Sequence, residues 1–145
     1  MMDLSKYKEE VYNIIGAAMA VYNELGWGLL ESVYNEALSI ELRERNIDCE
    51  TEKNIECFYK QYKLKKHFRL DLATDDVIIE LKAVDEISSA HRSQLFNYLR
   101  LTKVPIGLII NFGQHGLYGE RYCFDKQTNQ CILLDKNLNP FYSDK

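Results

Sequence analysis

Residues 69–82 read RLDLATDDVIIELK, and charged residues stand here inside runs that are otherwise apolar. Asp71 interrupts the first run, Glu80 and Lys82 interrupt the second, and an Asp-Asp pair separates the two. The runs have the composition of β-strands and the pair that of a tight turn, so this stretch predicts a β-hairpin. Charged side chains at the centre of strands indicate that these residues have a role other than packing.

The position of the turn predicts which residues face one another. A two-residue turn at Asp75-Asp76 pairs residues whose numbers add to 151, which places Asp71 opposite Glu80. Because side chains alternate between the faces of a strand, Lys82 shares the face of these two acids. Burying facing carboxylates without compensation costs on the order of several kcal/mol, so the pair requires a cation, either Lys82 or a metal ion. The alternative is a salt-bridge cluster on a solvated sheet face.

The rest of the chain predicts an α/β fold. Two helices come first, one ending near Gly26 and one over about 29–45. The later segments are strands near 51–59, 62–73 and 77–84, a helix over 87–102 with Asp85 or Ser88 as N-cap, a strand over 105–112, and a hairpin near 117–124 and 130–134. The strand over 105–112, PIGLIINF, lacks polar alternation, so we expect both of its faces to be covered.

Length and composition predict one domain over residues 1–145. The hydrophobic fraction of 46% and the charged fraction of 28% are typical of soluble globular proteins. No apolar stretch approaches the 18 or so residues of a membrane span, and the N-terminus lacks an apolar signal core. We therefore expect a cytoplasmic protein without a membrane partner, whose four cysteines remain reduced.

Charge is distributed unevenly along the chain. The net charge of −4 argues weakly against a nucleic-acid partner. However, residues 1–56 carry 12 acidic and 5 basic side chains, whereas residues 57–70, CFYKQYKLKKHFRL, carry five basic side chains and no acid. This basic strip could bind a polyanion, and the alternative is a solvated hairpin tip.

The predicted helix over 87–102 carries a second polar group. His91, Gln94 and Tyr98 are spaced three and four apart and share one face, flanked by Leu95. A Gln side chain beside a phenol suits contacts with phosphate oxygens and bases. Taken singly, Tyr98 is more often a core tyrosine. Glu31, on the second helix, is equally consistent with a first-turn acid favoured by the helix dipole.

Five segments of the sequence together resemble the GxxExxY proteins, which belong to the PD-(D/E)XK nuclease superfamily. The segments are GLLESVYNEAL (28–38), RLD (69–71), ELKA (80–83), QLFNYL (94–99) and GLIINFG (107–113). They cover nearly the whole chain in the family's order. The resemblance implies a restriction-endonuclease-like α/β fold, in which helices flank a central mixed β-sheet and an additional N-terminal helix precedes an αβββαβ core.

The resemblance also implies magnesium-dependent hydrolysis of phosphodiester bonds in DNA, or less commonly RNA, with manganese as a substitute. Asp71, Glu80 and the backbone carbonyl of Leu81 would be the metal ligands, and Glu31 resembles the extra acid that completes the metal site. Lys82 would orient the attacking water and offset charge on phosphorus. Hard oxygen ligands are those that magnesium prefers.

The substrate contacts follow from the same resemblance and from the basic strip. Gln94 and Tyr98 look like the Gln-x-x-x-Tyr feature of RecB-like and lambda-exonuclease-like members, and we expect Lys63, Lys65 and Arg69 to bind the nucleic-acid backbone. The proline of the superfamily's name is replaced by a leucine, which removes no group that the chemistry requires. The alternative is a weakly active or inactive nuclease fold that binds nucleic acid or protein, and a homodimer or a protein partner is compatible with either reading.

Overall fold

A computed structural model describes residues 3–141, so positions 1–2 and 142–145 of the predicted domain lie outside the described residues. Its sheet consists of β1 Glu50–Tyr59, β2 Tyr62–Ala73, β3 Val77–Lys82, β4 Ile106–Gly113, β5 Gly116–Asp125 and β6 Gln130–Leu134. Its helices are α1 Lys8–Leu25, α2 Glu31–Glu44 and α3 Ser89–Thr102, and a 3₁₀ turn over Ser5–Tyr7 precedes them.

The six strands form one mixed sheet in the order β1-β2-β3-β4-β5-β6. β3 and β4 are parallel, with α3 between them in the chain, and all other neighbours are antiparallel. Every residue of β4 is buried, which confirms that both faces of this strand are covered. The predicted α/β class is confirmed, because α2, the three strands, α3 and β4 form the αβββαβ core and α1 precedes it.

Each face of the sheet has its own hydrophobic core. α1 and α2 cover one face, where Ile14, Leu38 and Leu42 pack with Ile79, Leu81 and other strand residues. α3 covers the other face, where Leu95 and Leu99 pack with Ile78 and Ile109. Since Ile78 and Ile79 lie in different cores, Glu80 and Lys82 are on the α3 face.

The helix ends follow local chemistry. α1 ends at Gly26, which has φ of 70°, a value that favours glycine, and whose N–H donates to the carbonyl of Tyr22 at 2.8 Å. α3 begins after Ser88, so Ser88 and not Asp85 is its N-cap. The Ser88 hydroxyl accepts the N–H of His91, whose Nδ1 accepts the N–H of Ser88 in return. His91 therefore serves as a cap.

The turn between β2 and β3 lies where the sequence predicts it. Leu72 pairs with Ile79 and Ala73 with Ile78, so the partner numbers add to 151. The N–H of Thr74 donates to the carbonyl of Val77 at 2.8 Å across the two aspartates. Within residues 3–141, no helix is both long and apolar enough to cross a membrane.

Candidate active site

Asp71 does not continue the regular pairing of β2 with β3. The paired register ends at Leu72 and Ile79, one residue before Asp71 and Glu80 would face each other. Instead, the Asp71 carboxylate reaches across and accepts the backbone N–H of Leu81 at 3.1 Å. Asp71 and Glu80 therefore lie just beyond the last paired residues of the ladder, where the Asp71 side chain takes the place of a backbone partner.

The alternation of faces along β2 is interrupted at Asp71. Leu70 lies in the α3 core whereas Leu72 lies in the α1–α2 core, although residues two apart on a regular strand share a face. At the matching position of β1, Glu52 has φ of 56°, in the left-handed region. Such irregularities often re-aim a side chain beside a functional site. Here the change of face occurs at Asp71 itself.

Glu80 is the buried acid of the site. Its side chain lies on β3 between two apolar neighbours, and the residue is only 3% exposed. Burial raises the pKa of Glu80 to about 8, and the nearby charge of Asp71 adds to the increase, whereas Lys82 opposes it. The Oε1 atom of Glu80 is buried without a hydrogen-bond partner among residues 3–141. Such an atom is costly to leave unsatisfied, so it suits a bound cation or a proton.

Lys82, Gln94 and Tyr98 form a polar line beside the acids. The Lys82 amine lies 3.5 Å from Oε1 of Gln94, whose Nε2 donates to the Tyr98 hydroxyl at 3.0 Å. The Tyr98 hydroxyl in turn donates to the carbonyl of Arg69 at 3.3 Å. Burial and the charge of Glu80 raise the pKa of Tyr98, whose ring belongs to the α3 core. Tyr98 is thus both a core tyrosine and a neighbour of the site.

Glu31 and Tyr34 are placed very differently. Glu31 is the first residue of α2 and is exposed. No group of three or more His, Cys, Asp or Glu side chains in the described part of the chain could hold a metal ion, so Glu31 is not brought together with Asp71 and Glu80. The buried Tyr34 donates its hydroxyl to the carbonyl of Gly26 at 2.6 Å and accepts the N–H of Leu29. Tyr34 therefore stabilises the corner between α1 and α2.

The three basic residues expected to bind substrate have different environments. Lys63 contacts Glu56 at 3.0 Å, and Arg69 contacts Glu52 at 2.9 Å, both as exposed pairs between β1 and β2. Lys65 is exposed and has no acidic partner within 4 Å among the described residues. Exposed ion pairs contribute about 0–1 kcal/mol, so a phosphate could readily displace either acid.

Asn111 is a positioning residue that the sequence reasoning missed. It is the Cα partner of Lys82 on the parallel strand β4. Its Oδ1 accepts the N–H of Val84 at 3.0 Å, and its Nδ2 donates to the carbonyl of Val84 at 2.8 Å. Asn111 thereby holds the backbone just after Lys82. Asn111 interrupts the apolar run PIGLIINF, just as Asp71 and Glu80 interrupt theirs. The same sequence pattern could therefore have identified it.

A second group of residues that the sequence did not predict connects α3 to β5. Arg92 donates to both carboxylate oxygens of Glu120 at 2.8 and 2.7 Å, and the hydroxyls of Tyr118 and Tyr122 also donate to this carboxylate. Burial would raise the pKa of Glu120, but these hydrogen bonds outweigh it and lower the pKa to about 2. No sequence pattern pairs residues so far apart.

Comparisons with known proteins agree with this fold. A sequence model described as the PD-(D/E)XK nuclease superfamily matches residues 8–121. Three solved chains match the structure, and one, described as "Crystal structure of SSO0001", has a TM-score of 0.53 and 19% sequence identity. That match covers 85% of this chain and 63% of the other, and it shows a shared fold. No curated protein matches the sequence. Because the superfamily model spans most of its length, the chain belongs to the PD-(D/E)XK nuclease superfamily.

Proposed function

We propose that the protein is a magnesium-dependent nuclease that hydrolyses phosphodiester bonds of DNA, or less commonly RNA. Membership of the superfamily supports nuclease chemistry. The observation that carries the proposal is the buried Oε1 of Glu80, which has no hydrogen-bond partner among the described residues and lies beside Asp71. A buried carboxylate that has no hydrogen-bond partner and lies next to a second acid suits the role of a metal ligand better than a purely structural role.

The donor atoms present suit a hard divalent cation. The carboxylates of Asp71 and Glu80 and the carbonyl of Leu81 would hold magnesium, or manganese as a substitute. Glu31 lies apart from these groups, so we do not include it among the ligands. A bound ion of this kind polarises a phosphate oxygen and lowers the pKa of water. Glu80 must release its proton before it can bind a cation, because its pKa is about 8.

The remaining side chains would act on substrate and water. Lys82 would orient the attacking water and offset the charge that develops on phosphorus, and Gln94 holds its amine at the rim of the site. Gln94 and Tyr98 would contact the nucleotide. Lys63, Lys65 and Arg69 would bind phosphates farther along the strand, which is their usual role in nucleic-acid binding.

We also propose a subfamily, a domain organisation and a cellular location for the protein. Within the superfamily, we place this chain among the GxxExxY proteins on the strength of Gly28, Glu31 and Tyr34. We expect residues 1–145 to form one domain that acts in the cytoplasm, alone, as a homodimer or with a protein partner.

The test is a cleavage assay with matched carboxylate variants. Single-stranded, duplex and branched DNA and single-stranded RNA are incubated with magnesium, manganese or EDTA. We expect cleavage only with a divalent ion, and we expect Asp71→Asn to abolish it. Asp75→Asn, which changes an exposed acid of the adjacent turn, should cleave as wild type does. Cleavage that persists undiminished in Asp71→Asn would contradict the site assignment.

An accessory role is the second candidate. The exposed position of Glu31, apart from the other two acids, favours it, because the site then has fewer protein ligands. An accessory protein would bind nucleic acid with unchanged affinity in EDTA and would cleave none of the substrates. Fold alone does not decide between the two functions.

A further inference from the structure

The β1–β2 hairpin extends beyond the rest of the sheet. Every residue from 58 to 67 is exposed, although this segment contains four aromatic or large aliphatic side chains. They are Phe58, Tyr59, Tyr62 and Leu64, and Phe68 follows them, half-buried, at the base of the hairpin. Exposed large apolar groups at a hairpin tip contribute little to the fold, so they call for a binding role.

The strand register shows which side chains share the face of the active site. Ile55 and Phe68 are Cα partners and both pack against the α3 core. Toward the tip, β2 contains two more residues than β1 between the pairs Glu56–His67 and Phe58–Lys63, so the alternation of faces is preserved. Tyr59 and Tyr62, which are paired, therefore lie on the same face as Phe68 and Lys66.

Contacts connect this face to the active site. The ring of Phe68 packs edge-on against Tyr98, with 5.5 Å between ring centroids. The Lys66 amine lies 5.3 Å from the centroid of Phe68. At the tip, Tyr59 and Tyr62 are 61% and 62% exposed. We call these four residues, Tyr59, Tyr62, Lys66 and Phe68, the hairpin track, which ends at the Gln94–Tyr98 pair.

The charge around the track favours a polyanion. Residues 57–70 contain no acid. Lys60 and Lys66 have no acidic partner within 4 Å in the described part of the chain, and the Lys60 amine lies 5.3 Å from the centroid of Tyr59. Rings interleaved with cations bind bases by stacking and phosphates by charge. Bases offer their faces to such rings only where they are unpaired, because in a duplex they stack on one another.

We propose that the hairpin track binds a single-stranded segment of nucleic acid and leads it to the active site. The proposal rests on the proposed function and deepens it, because it names the substrate class as nucleic acid with unpaired bases, whether single-stranded, frayed or branched. Asp71 is nine positions after Tyr62, so the track spans at most about 30 Å. This corresponds to the rise of about nine stacked nucleotides.

The test measures binding in EDTA, where cleavage cannot interfere. Probes longer than the track are used: fluorescein-labelled 20-nucleotide oligothymidylate, 20-nucleotide oligouridylate and a 20-base-pair duplex. We expect the Tyr59→Ala/Tyr62→Ala variant to bind the single strands about tenfold or more weakly, and the duplex less than about twofold more weakly. The Tyr59→Phe/Tyr62→Phe variant should bind as wild type does, because it keeps both rings.

Tyr12→Ala is the matched control. Tyr12 is 77% exposed on α1, on the opposite face of the sheet, so its loss should leave binding unchanged. If the Tyr59→Ala/Tyr62→Ala variant loses more affinity for oligouridylate than for oligothymidylate, the proposal stands and the bound strand is RNA. Equal losses for single strands and duplex, or no loss, would overturn it.

The outcome is separable from that of the proposed nuclease. A protein that cleaves nothing but whose single-strand affinity depends on Tyr59 and Tyr62 keeps the hairpin proposal and removes the catalytic one. If the protein cleaves nucleic acid but the alanine variant binds single strands as wild type does, the nuclease proposal stands and the hairpin proposal is wrong. Light scattering after size-exclusion chromatography provides the remaining check. If the alanine variant only converts a dimer into monomers, the hairpin joins two copies and the proposal is wrong.

Discussion

The carboxylate of Asp71 accepts the backbone N–H of Leu81 at 3.1 Å, where β2 and β3 cease to pair. This hydrogen bond occupies Oδ2 of Asp71 and holds the side chain beside Glu80. The two acids are therefore kept close by the backbone of the strand that carries Glu80. The raised pKa of Glu80 keeps a proton on one of the two acids at neutral pH, and this proton relieves their repulsion.

Glu80 should make the stability of the metal-free protein fall as pH rises. Its pKa is about 8 when folded and near the ordinary 4.5 when unfolded, so the folded state binds more protons between these values. Glu80→Gln removes this dependence and should raise the free energy of unfolding at pH 8 by on the order of a few kcal/mol. Urea unfolding between pH 5 and 9 measures it, with Glu86→Gln, an exposed acid, as control. Parallel curves for wild type and Glu80→Gln would contradict the prediction.

Metal binding should release a proton near neutral pH. At pH 7 Glu80 is mostly protonated, because its pKa is about 8, so binding magnesium or manganese should release about one proton. At pH 9 the release should approach zero. Calorimetry in buffers of different ionisation enthalpy counts these protons. Equal proton release at pH 7 and pH 9 would show that the proton comes from a group other than Glu80. The Glu80→Gln variant should release no proton at either pH.

Lys82→Ala should separate catalysis from metal binding. If Asp71 and Glu80 hold the ion, the variant should keep its metal affinity but lose about a hundredfold or more of kcat. Lys126→Ala, which changes an exposed lysine of the β5–β6 turn, is the matched control. Single-turnover cleavage and metal titration measure the two effects. Loss of metal affinity in Lys82→Ala would assign the lysine a structural role instead.

Arg92→Ala should destabilise the fold, because it leaves the buried carboxylate of Glu120 without its cation. Two tyrosine hydroxyls still donate to Glu120, so we expect a loss of about 3 kcal/mol. Since the pKa of Glu120 is lowered to about 2, this stabilisation is present above pH 4.5 and is lost as pH falls toward 2. Urea unfolding at pH 7 and pH 3 tests both points. Arg100→Ala, on the exposed side of α3, should have a far smaller effect.

Tyr34→Phe should loosen the corner between α1 and α2 without emptying the core. The ring still stacks on Phe112, with 4.4 Å between centroids, but the contacts with Gly26 and Leu29 are lost. Two backbone groups then lose their partner, which costs about 1–3 kcal/mol. Thermal unfolding measures this loss, and amide exchange at Leu29 should increase. Unchanged exchange would mean that the corner is held by packing alone.

Much of the fold was predictable because it depends on local patterns. The turn at Asp75-Asp76 and the register of β2 with β3 follow from turn chemistry and strand alternation, and the structure confirms both. The burial of β4 follows from its apolar run, which lacks polar alternation. The change of face at Asp71 was not predictable, because it departs from the alternation of side chains along a regular strand.

By itself, the sequence determined which chemical groups are present and in which order, and hence the α/β class and the candidates Asp71, Glu80 and Lys82. Only the tertiary structure decided their environments. Glu80 has a raised pKa because burial excludes water from it and Asp71 lies nearby, and Glu31 lies apart because the corner between α1 and α2 sets where its helix begins. Burial, electrostatic fields and long-range pairs such as Arg92–Glu120 arise from residues distant in the chain, so no local pattern contains them.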